Sequence, residues 1–335
     1  MSTIAPPMVP EGFGEKLAKL TWPGAEGWQF WTWGDHKIHY IQRGENTDKP
    51  ALVLIHGFGA SAFHWRYNIP ELSQKYRVFA LDLLGFGLSD KPLLDEYSPD
   101  VWRDQVLSFV DEVVKGPAVV AGNSLGGYTA LYSAYTSPER IKGCCLLNAA
   151  GSFDSEGGGT AALDSEADAT AAGGAGRVAA TGESIGEAFR KWVQRQILSI
   201  SFYYTKQPAR IAQVLRQVYS VDTMNVDDDL VESIRFPSDH PNACEVFYKV
   251  VTRNGRGGGK TFDTLLAQLK VPLLLLWGEK DPWIRPAAAD AIQRLHPQSQ
   301  RVNVDAGHCP QASDEAPAAV NKAILEWMES SVLHV

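Results

Sequence analysis

One serine in this chain stands where a nucleophile would be built. Ser124 lies in Ala121-Gly122-Asn123-Ser124-Leu125-Gly126-Gly127, a G-x-S-x-G sequence. It follows the apolar run Ala118 to Ala121 and opens a helix-forming one, Tyr128 to Tyr135. A sharp turn from strand to helix holds such a serine in a strained conformation with its hydroxyl exposed, and the flanking glycines remove side chains that would collide with the neighbouring strand and helix. The same residues could form an ordinary glycine-flanked turn, so the reading depends on partners.

A serine hydroxyl needs a base to take its proton, and the chain offers eight histidines. His36 and His39 fall in an N-terminal hairpin, His240 stands beside Pro241, His296 ends a helix before Pro297, and His334 is in the terminal tail. His56 and His308 remain, with His64 as a third. His308 sits in Asp305-Ala306-Gly307-His308-Cys309-Pro310, after an expected last strand Arg301 to Val304, where a loop can return the imidazole over the serine. His56 opens His56-Gly57-Phe58-Gly59, and H-G-x-G turns aim a backbone N–H at a developing oxyanion. His56 therefore reads as structural, and the amides of Phe58 and Leu125 are the expected oxyanion donors. The acid should come between serine and histidine, just past a strand. Asp281 in Trp277-Gly278-Glu279-Lys280-Asp281-Pro282-Trp283 meets that condition; Glu279 is its rival, in a place that suits a solvated turn. Asp281 would fix the tautomer of His308 and stabilise its imidazolium.

These residues need strands to carry them. Trp28 to Ile41 alternates apolar and polar and suits a hairpin turning near Gly34-Asp35. Apolar runs at Ala51 to Ile55, Arg77 to Leu81, Ala118 to Ala121, Ile141 to Asn148 and Val271 to Trp277 read as strands, with helices expected over Trp65 to Lys75 and Val101 to Lys115. Alternating helices and apolar strands imply a mostly parallel sheet covered on both faces. The expected division is a core over 1–151, an insertion over 152–256 and the rest of the core over 257–335. The insertion begins with a Gly/Ala-rich stretch, 152–184, too poor in large apolar groups to form a core and expected to be a mobile loop. A helical cap follows over Ile185 to Tyr219, with further helices over Ala243 to Val251 and Phe262 to Leu269.

Composition excludes several functions. A formal charge of −8 leaves no basic stripe for a phosphate backbone, so no nucleic-acid partner is expected. The four cysteines include no C-x-x-C pair, and Cys144 with Cys145, inside an apolar run, read as small core residues. No metal cluster or cofactor is expected, and Gly259-Lys260-Thr261 resembles the end of a P-loop without the required first glycine or preceding strand. The first twenty residues show neither a secretory signal nor a typical transit peptide.

The chain resembles the α/β-hydrolase family over nearly its whole length, including the turn Asp82-Leu83-Leu84-Gly85-Phe86-Gly87-Leu88-Ser89-Asp90, which reads as structural. Within that family it resembles the plant and algal branch of pheophytinases and chlorophyll dephytylases, in the blocks His56 to Pro70, Gly122 to Leu131 and Leu146 to Ala149. The resemblance implies an α/β-hydrolase fold with an inserted cap, cleavage of phytyl esters of chlorophyll pigments, a chloroplast location and no cofactor. It implies a hydrophobic ester as the molecular partner, with peripheral membrane contact; the oligomeric state is left open. Phe63, Trp65 and Trp283 near the oxyanion and acid turns, and Trp192, Phe202 and Tyr203 of the cap, are the candidate substrate contacts, with core packing as the other role for the cap aromatics. Asn148, at a strand tip, either lines the pocket or caps the next loop. The G-N-S-x-G-G elbow is also typical of hydrolases that cleave carbon–carbon bonds in meta-cleavage products, for which Arg190 and Arg195 would be the cations. A small-molecule receptor on the same fold is a third reading.

Overall fold

The computed structural model describes residues 28–44, 49–154, 185–221, 223, 226–252, 259–310 and 316–332, with backbone alone over 185–193. Its strands are β1 (Trp28–Trp33), β2 (His36–Arg43), β3 (Ala51–Ile55), β4 (Val78–Leu81), β5 (Ala118–Asn123), β6 (Ile141–Leu147), β7 (Leu273–Gly278) and β8 (Gln300–Val304). They form one sheet in the order β1-β2-β4-β3-β5-β6-β7-β8. β1 and β2 make the hairpin, with Gly34 in the left-handed region at φ +56, and β2 runs antiparallel to β4; every later pairing is parallel.

Every residue of β3, β4, β5 and β7 is buried. That is what a sheet covered on both sides requires, and it explains why these strands read as continuous apolar runs. Alternate residues feed different cores. Val53 and Ile55 join one cluster and Leu52 and Leu54 the other. Burying each such side chain contributes about 1.5–3 kcal/mol.

The helices are α1 (Ile69–Leu72), α2 (Pro99–Phe109), α3 (Leu125–Thr136), α4 (Ile185–Thr205), α5 (Pro208–Val218), α6 (Asp228–Arg235), α7 (Ala243–Thr252), α8 (Phe262–Ala267), α9 (Pro286–Leu295) and α10 (Pro317–Trp327). Trp102 of α2, Leu131 of α3 and Ile292 of α9 cover one face of the sheet. Leu72 of α1 with Ile324 and Trp327 of α10 cover the other.

Three stretches differ from the sequence expectation. The helix expected over Trp65 to Lys75 is a 3₁₀ turn, Ala62–Trp65, followed by the single turn α1 with Pro70 at its start. The cap stretch expected over Ile185 to Tyr219 divides into α4 and α5 because Pro208 forces its predecessor out of the helical region; Gln207 has ψ 135. Helix α6 was not expected, although its signals are present: Asp227 accepts a hydrogen bond from the Leu230 amide at 2.7 Å, and Asp228 and Asp229 occupy the positive end of the helix dipole.

Of the Gly/Ala-rich stretch, residues 155–184 lie outside the described residues. Its entry and the start of α8 are tied together. Phe262 N donates to Ser152 O at 2.9 Å, and Asp154 N to the Asp263 carboxylate at 2.9 Å. Thr261 caps α8 through its hydroxyl, which accounts for the threonine of the P-loop lookalike.

The tightest constraint lies where β5 meets α3. A Cβ on Gly122 would stand 2.1 Å from Gly126 O and 2.6 Å from Gly127 N, both backbone atoms. Gly122→Ala should lower the denaturant midpoint by the equivalent of about 2 kcal/mol or more, measured by urea unfolding, because the strand and helix can separate only by breaking the turn.

Candidate active site

Ser124 is the residue between β5 and α3, at φ 52 and ψ −118. Such a conformation costs a non-glycine residue about 1–3 kcal/mol and persists only when its surroundings enforce it. Here they do. The Ser124 amide donates to Leu147 O at 3.0 Å, and its carbonyl accepts from Ala150 N at 3.0 Å and Tyr128 N at 3.2 Å.

His308 follows β8 and Asp281 follows β7. The His308 Nδ1 lies 2.8 Å from Asp281 Oδ2, with both side chains buried. Asp281 Oδ2 also accepts from Asn148 Nδ2 at 2.6 Å, while Oδ1 accepts from the amides of Trp283 at 2.7 Å and Ile284 at 3.0 Å. Four donors use the carboxylate's acceptor sites and leave it no freedom to turn. With Nδ1 donating to the carboxylate, the second ring nitrogen of His308 is left as the acceptor, the form a general base requires.

The backbone of His308 is held from two directions. Its carbonyl accepts from Asn123 Nδ2 at 2.9 Å, beside the serine, and its amide donates to Val218 O at 2.9 Å, at the end of α5. Ser220 Oγ donates to Lys280 O at 2.9 Å, so the same cap segment also reaches the acid turn.

The loop after β3 passes directly over the serine. A Cβ on Gly57 would lie 3.2 Å from Ser124 Cβ. His56 holds this loop with both ring nitrogens: Nε2 accepts from Leu83 N at 3.0 Å, which leaves Nδ1 to donate to Gly57 O at 2.7 Å. Burial pushes its imidazole below the ordinary histidine value, so it stays neutral and keeps that pattern. Asp82 secures the far end, accepting from Ala62 N at 2.6 Å, Leu88 N at 2.7 Å and His39 Nδ1 at 2.8 Å. His39 thus belongs to the turn after β4. The Leu125 amide opens α3, where first-turn amides have no intrahelical acceptor.

A cavity of 220 Å³ lies against Ser124 and His308. Its apolar walls include Phe58 and Phe86 from the core, with Ile211 and Leu215 of α5 and Val246 and Phe247 of α7. Among the expected substrate contacts, Phe202 and Trp283 are on the wall, and the Trp283 ring lies 5.0 Å from the His308 ring. Phe63 and Trp65 belong to the 3₁₀ turn, pack into the core and are not on the wall. Tyr203 is 56% exposed and points away, and the Trp192 side chain lies outside the described residues. Asn148, placed between two roles by the sequence, touches neither the cavity nor the following loop; it joins Asp281 to Gly278 N, at 2.9 Å. Arg195 pairs with Glu245 and lies over Tyr248, off the wall, and the Arg190 side chain lies outside the described residues.

Sequence reasoning missed Asn123, Asn148 as a carboxylate donor, and α5 as a wall. The last was readable: Ile211, Val214, Leu215 and Val218 recur at helical spacing on one face.

The alpha/beta hydrolase fold family matches residues 50–315, and the chain belongs to it. Within it, the chain is similar to the chloroplastic pheophytinase of Arabidopsis thaliana, at 31% identity over 331 residues covering 88% of this chain and 64% of that protein. The chain therefore spans just under two thirds of that relative's length. It is also similar to the 2-hydroxymuconate semialdehyde hydrolase of Pseudomonas sp. strain CF600, at 40% identity over 103 residues, 30% of this chain and 36% of that one. Among solved structures, a meta-cleavage product hydrolase from Pseudomonas fluorescens IP01 superposes with a TM-score of 0.67 at 23% identity, covering 90% of this chain and 97% of that one, which shows a shared fold.

Asn148→Ala removes one of two side-chain donors on Asp281 Oδ2 and the acceptor for Gly278 N. It should lower kcat about 10²-fold for whichever substrate the protein turns over, the size expected when a reacting group shifts by about an ångström. Steady-state kinetics, with circular dichroism to verify the fold, would check this.

Proposed function

We propose that this protein is a serine carboxylic-ester hydrolase acting on large apolar esters of the phytyl-pigment class. The observation that carries the reading is the apolar cavity lined by Ser124 and by His308, which Asp281 holds at 2.8 Å. In this reading, Ser124 Oγ attacks the ester carbonyl carbon while His308 takes the hydroxyl proton. The carbonyl oxygen becomes an anion held by the amides of Phe58 and Leu125. Collapse breaks the bond to the alcohol oxygen, which leaves with the proton from His308. Water, deprotonated by His308, then attacks the acyl group on Ser124 and releases the free acid. Asp281 holds His308 and stabilises its positive charge throughout.

Phytol removal, and with it a chloroplast location, is supported by the similarity to pheophytinase, which extends over 88% of this chain. The cavity is too small to enclose both a macrocycle and a long branched chain, so part of such a substrate would rest outside it; on α4, which supplies Phe202 to the wall, Ile197, Ile200, Tyr203 and Tyr204 are exposed. These exposed groups are the surface that could meet a lipid phase. The second reading, hydrolysis of a carbon–carbon bond in a meta-cleavage product, is favoured by the 40% identical segment. A receptor role on the same fold would show saturable binding without turnover.

Ser124→Ala should reduce ester turnover about 10⁴-fold or more while leaving thermal stability within a few degrees of the unsubstituted protein. Near-normal activity in the pure variant would remove Ser124 from the mechanism.

Incubation with chlorophyll a, pheophytin a and a vinylogous diketone, followed by chromatography, should yield phytol from at least one pigment and no carbon–carbon cleavage. Cleavage of the diketone alone would move the protein to the second reading.

A further inference from the structure

The cavity is lined mainly by apolar groups, but its wall includes two lysines. Lys206 lies 3.0 Å from Asp239, which neutralises it. Lys91 is different. It is 5% exposed, and its ammonium donates to two backbone carbonyls, Gly87 O at 2.8 Å and Ser89 O at 3.2 Å. Among the described residues no carboxylate lies within 4.0 Å of it. An ammonium has three donors, and here two are used on neutral acceptors.

A buried cation with neutral partners is incompletely compensated, and burial lowers Lys91 to about 8, with Asp82 and Asp90 pulling the other way. The turn Gly85 to Gly87 shares the wall with it. The Asn242 side chain, just before α7, donates to Lys91 O at 2.8 Å and fixes the base of the side chain against the cap.

We propose that Lys91 is a specificity-determining residue: its ammonium anchors a ketone or carboxylate oxygen that the substrate carries beyond the scissile ester. The inference rests on the ester-hydrolase reading of the same cavity. A purely apolar acyl or alcohol group would leave the third donor unmet, whereas an oxygen at that position completes it. Such a charge-assisted contact selects esters with a second oxygen function over plain alkyl esters of equal length. A pigment macrocycle bearing a ring ketone meets the requirement, and so does a dioic half-ester.

The pH dependence follows from the groups around Lys91. Burial holds His56 and His240 below the ordinary histidine value and His64 down at about 3, so all three are neutral above pH 7. Burial pushes Tyr97 up, so it also stays neutral. Lys91 is the member of this group that changes charge, from positive below about 8 to neutral above it. Preference for the oxygen-bearing ligand is therefore present at pH 7 and fades as pH rises through that value.

The test uses binding rather than turnover, so it stands apart from whether the protein hydrolyses esters. In the Ser124→Ala protein, calorimetry would compare methyl alkanoates with their ω-keto and ω-carboxylate counterparts over a series of chain lengths at pH 7. At least one oxygen-bearing ligand should bind about tenfold more tightly than the plain ester, and which one does so distinguishes ketone from carboxylate. Adding Lys91→Met, which keeps the alkyl stem, should erase that preference, as should pH 9.5 with Lys91 intact. Equal binding of all three ligands, or a preference that survives in Lys91→Met, would overturn the proposal. Failure of the ester reading would appear separately, as absence of turnover with Ser124 in place.

Discussion

The Asp281 carboxylate receives hydrogen bonds from the tips of neighbouring strands, and the geometry of the site depends on that convergence. β5, β6, β7 and β8 are consecutive neighbours in the sheet. Just past their C-terminal ends stand Ser124, Asn148, Asp281 and His308 respectively. A parallel sheet puts all four ends on one edge, so residues up to 184 positions apart in sequence meet there without a long loop to carry any of them. Once Asn148 and the Trp283 and Ile284 amides have oriented the carboxylate, His308 has one direction in which to present its other nitrogen.

The cost of this arrangement is concentrated at the turns. Ser124 and Asn148 are both non-glycine residues at positive φ, 52 and 42. Each is strained, and each carries a polar side chain at the site. The strands beneath them, buried in β5 and buried in β6 except at Lys142, provide the rigidity that keeps the turns from relaxing. The loop after β3 is stabilised differently, through His56 and Asp82, whose side chains hold Gly57 O and Ala62 N.

Most of the sheet was legible because both-face burial writes itself as continuous apolar runs, and the strand-end positions of Ser124 and Asp281 were legible because each follows such a run; His308 follows β8, a polar edge strand that reads only as a short alternation of residue types. The walls of the cavity were harder to read. Aromatic type suggested Phe63, Trp65 and Tyr203, yet type does not say which way a ring faces: the first two fill the core and the third meets solvent. Asn123 and Asn148 were unreadable as carriers of His308 and Asp281, since their partners are set by strand register across the sheet rather than by anything local. Lys91 comes directly after the turn Asp82 to Asp90, which read as structural, and only the fold shows that this stretch borders the cavity.

The hydrogen bond from His308 N to Val218 O makes the cap and the imidazole mechanically inseparable. A displacement of the end of α5 by about an ångström would lengthen that bond beyond its working range. The helix also supplies Ile211 and Leu215 to the cavity. Amino-acid changes that reshape this wall for a new ligand therefore act on the histidine loop too. The cap is not an interchangeable module: variation in α5 is bounded from one side by fit and from the other by the orientation of a ring in the loop after β8.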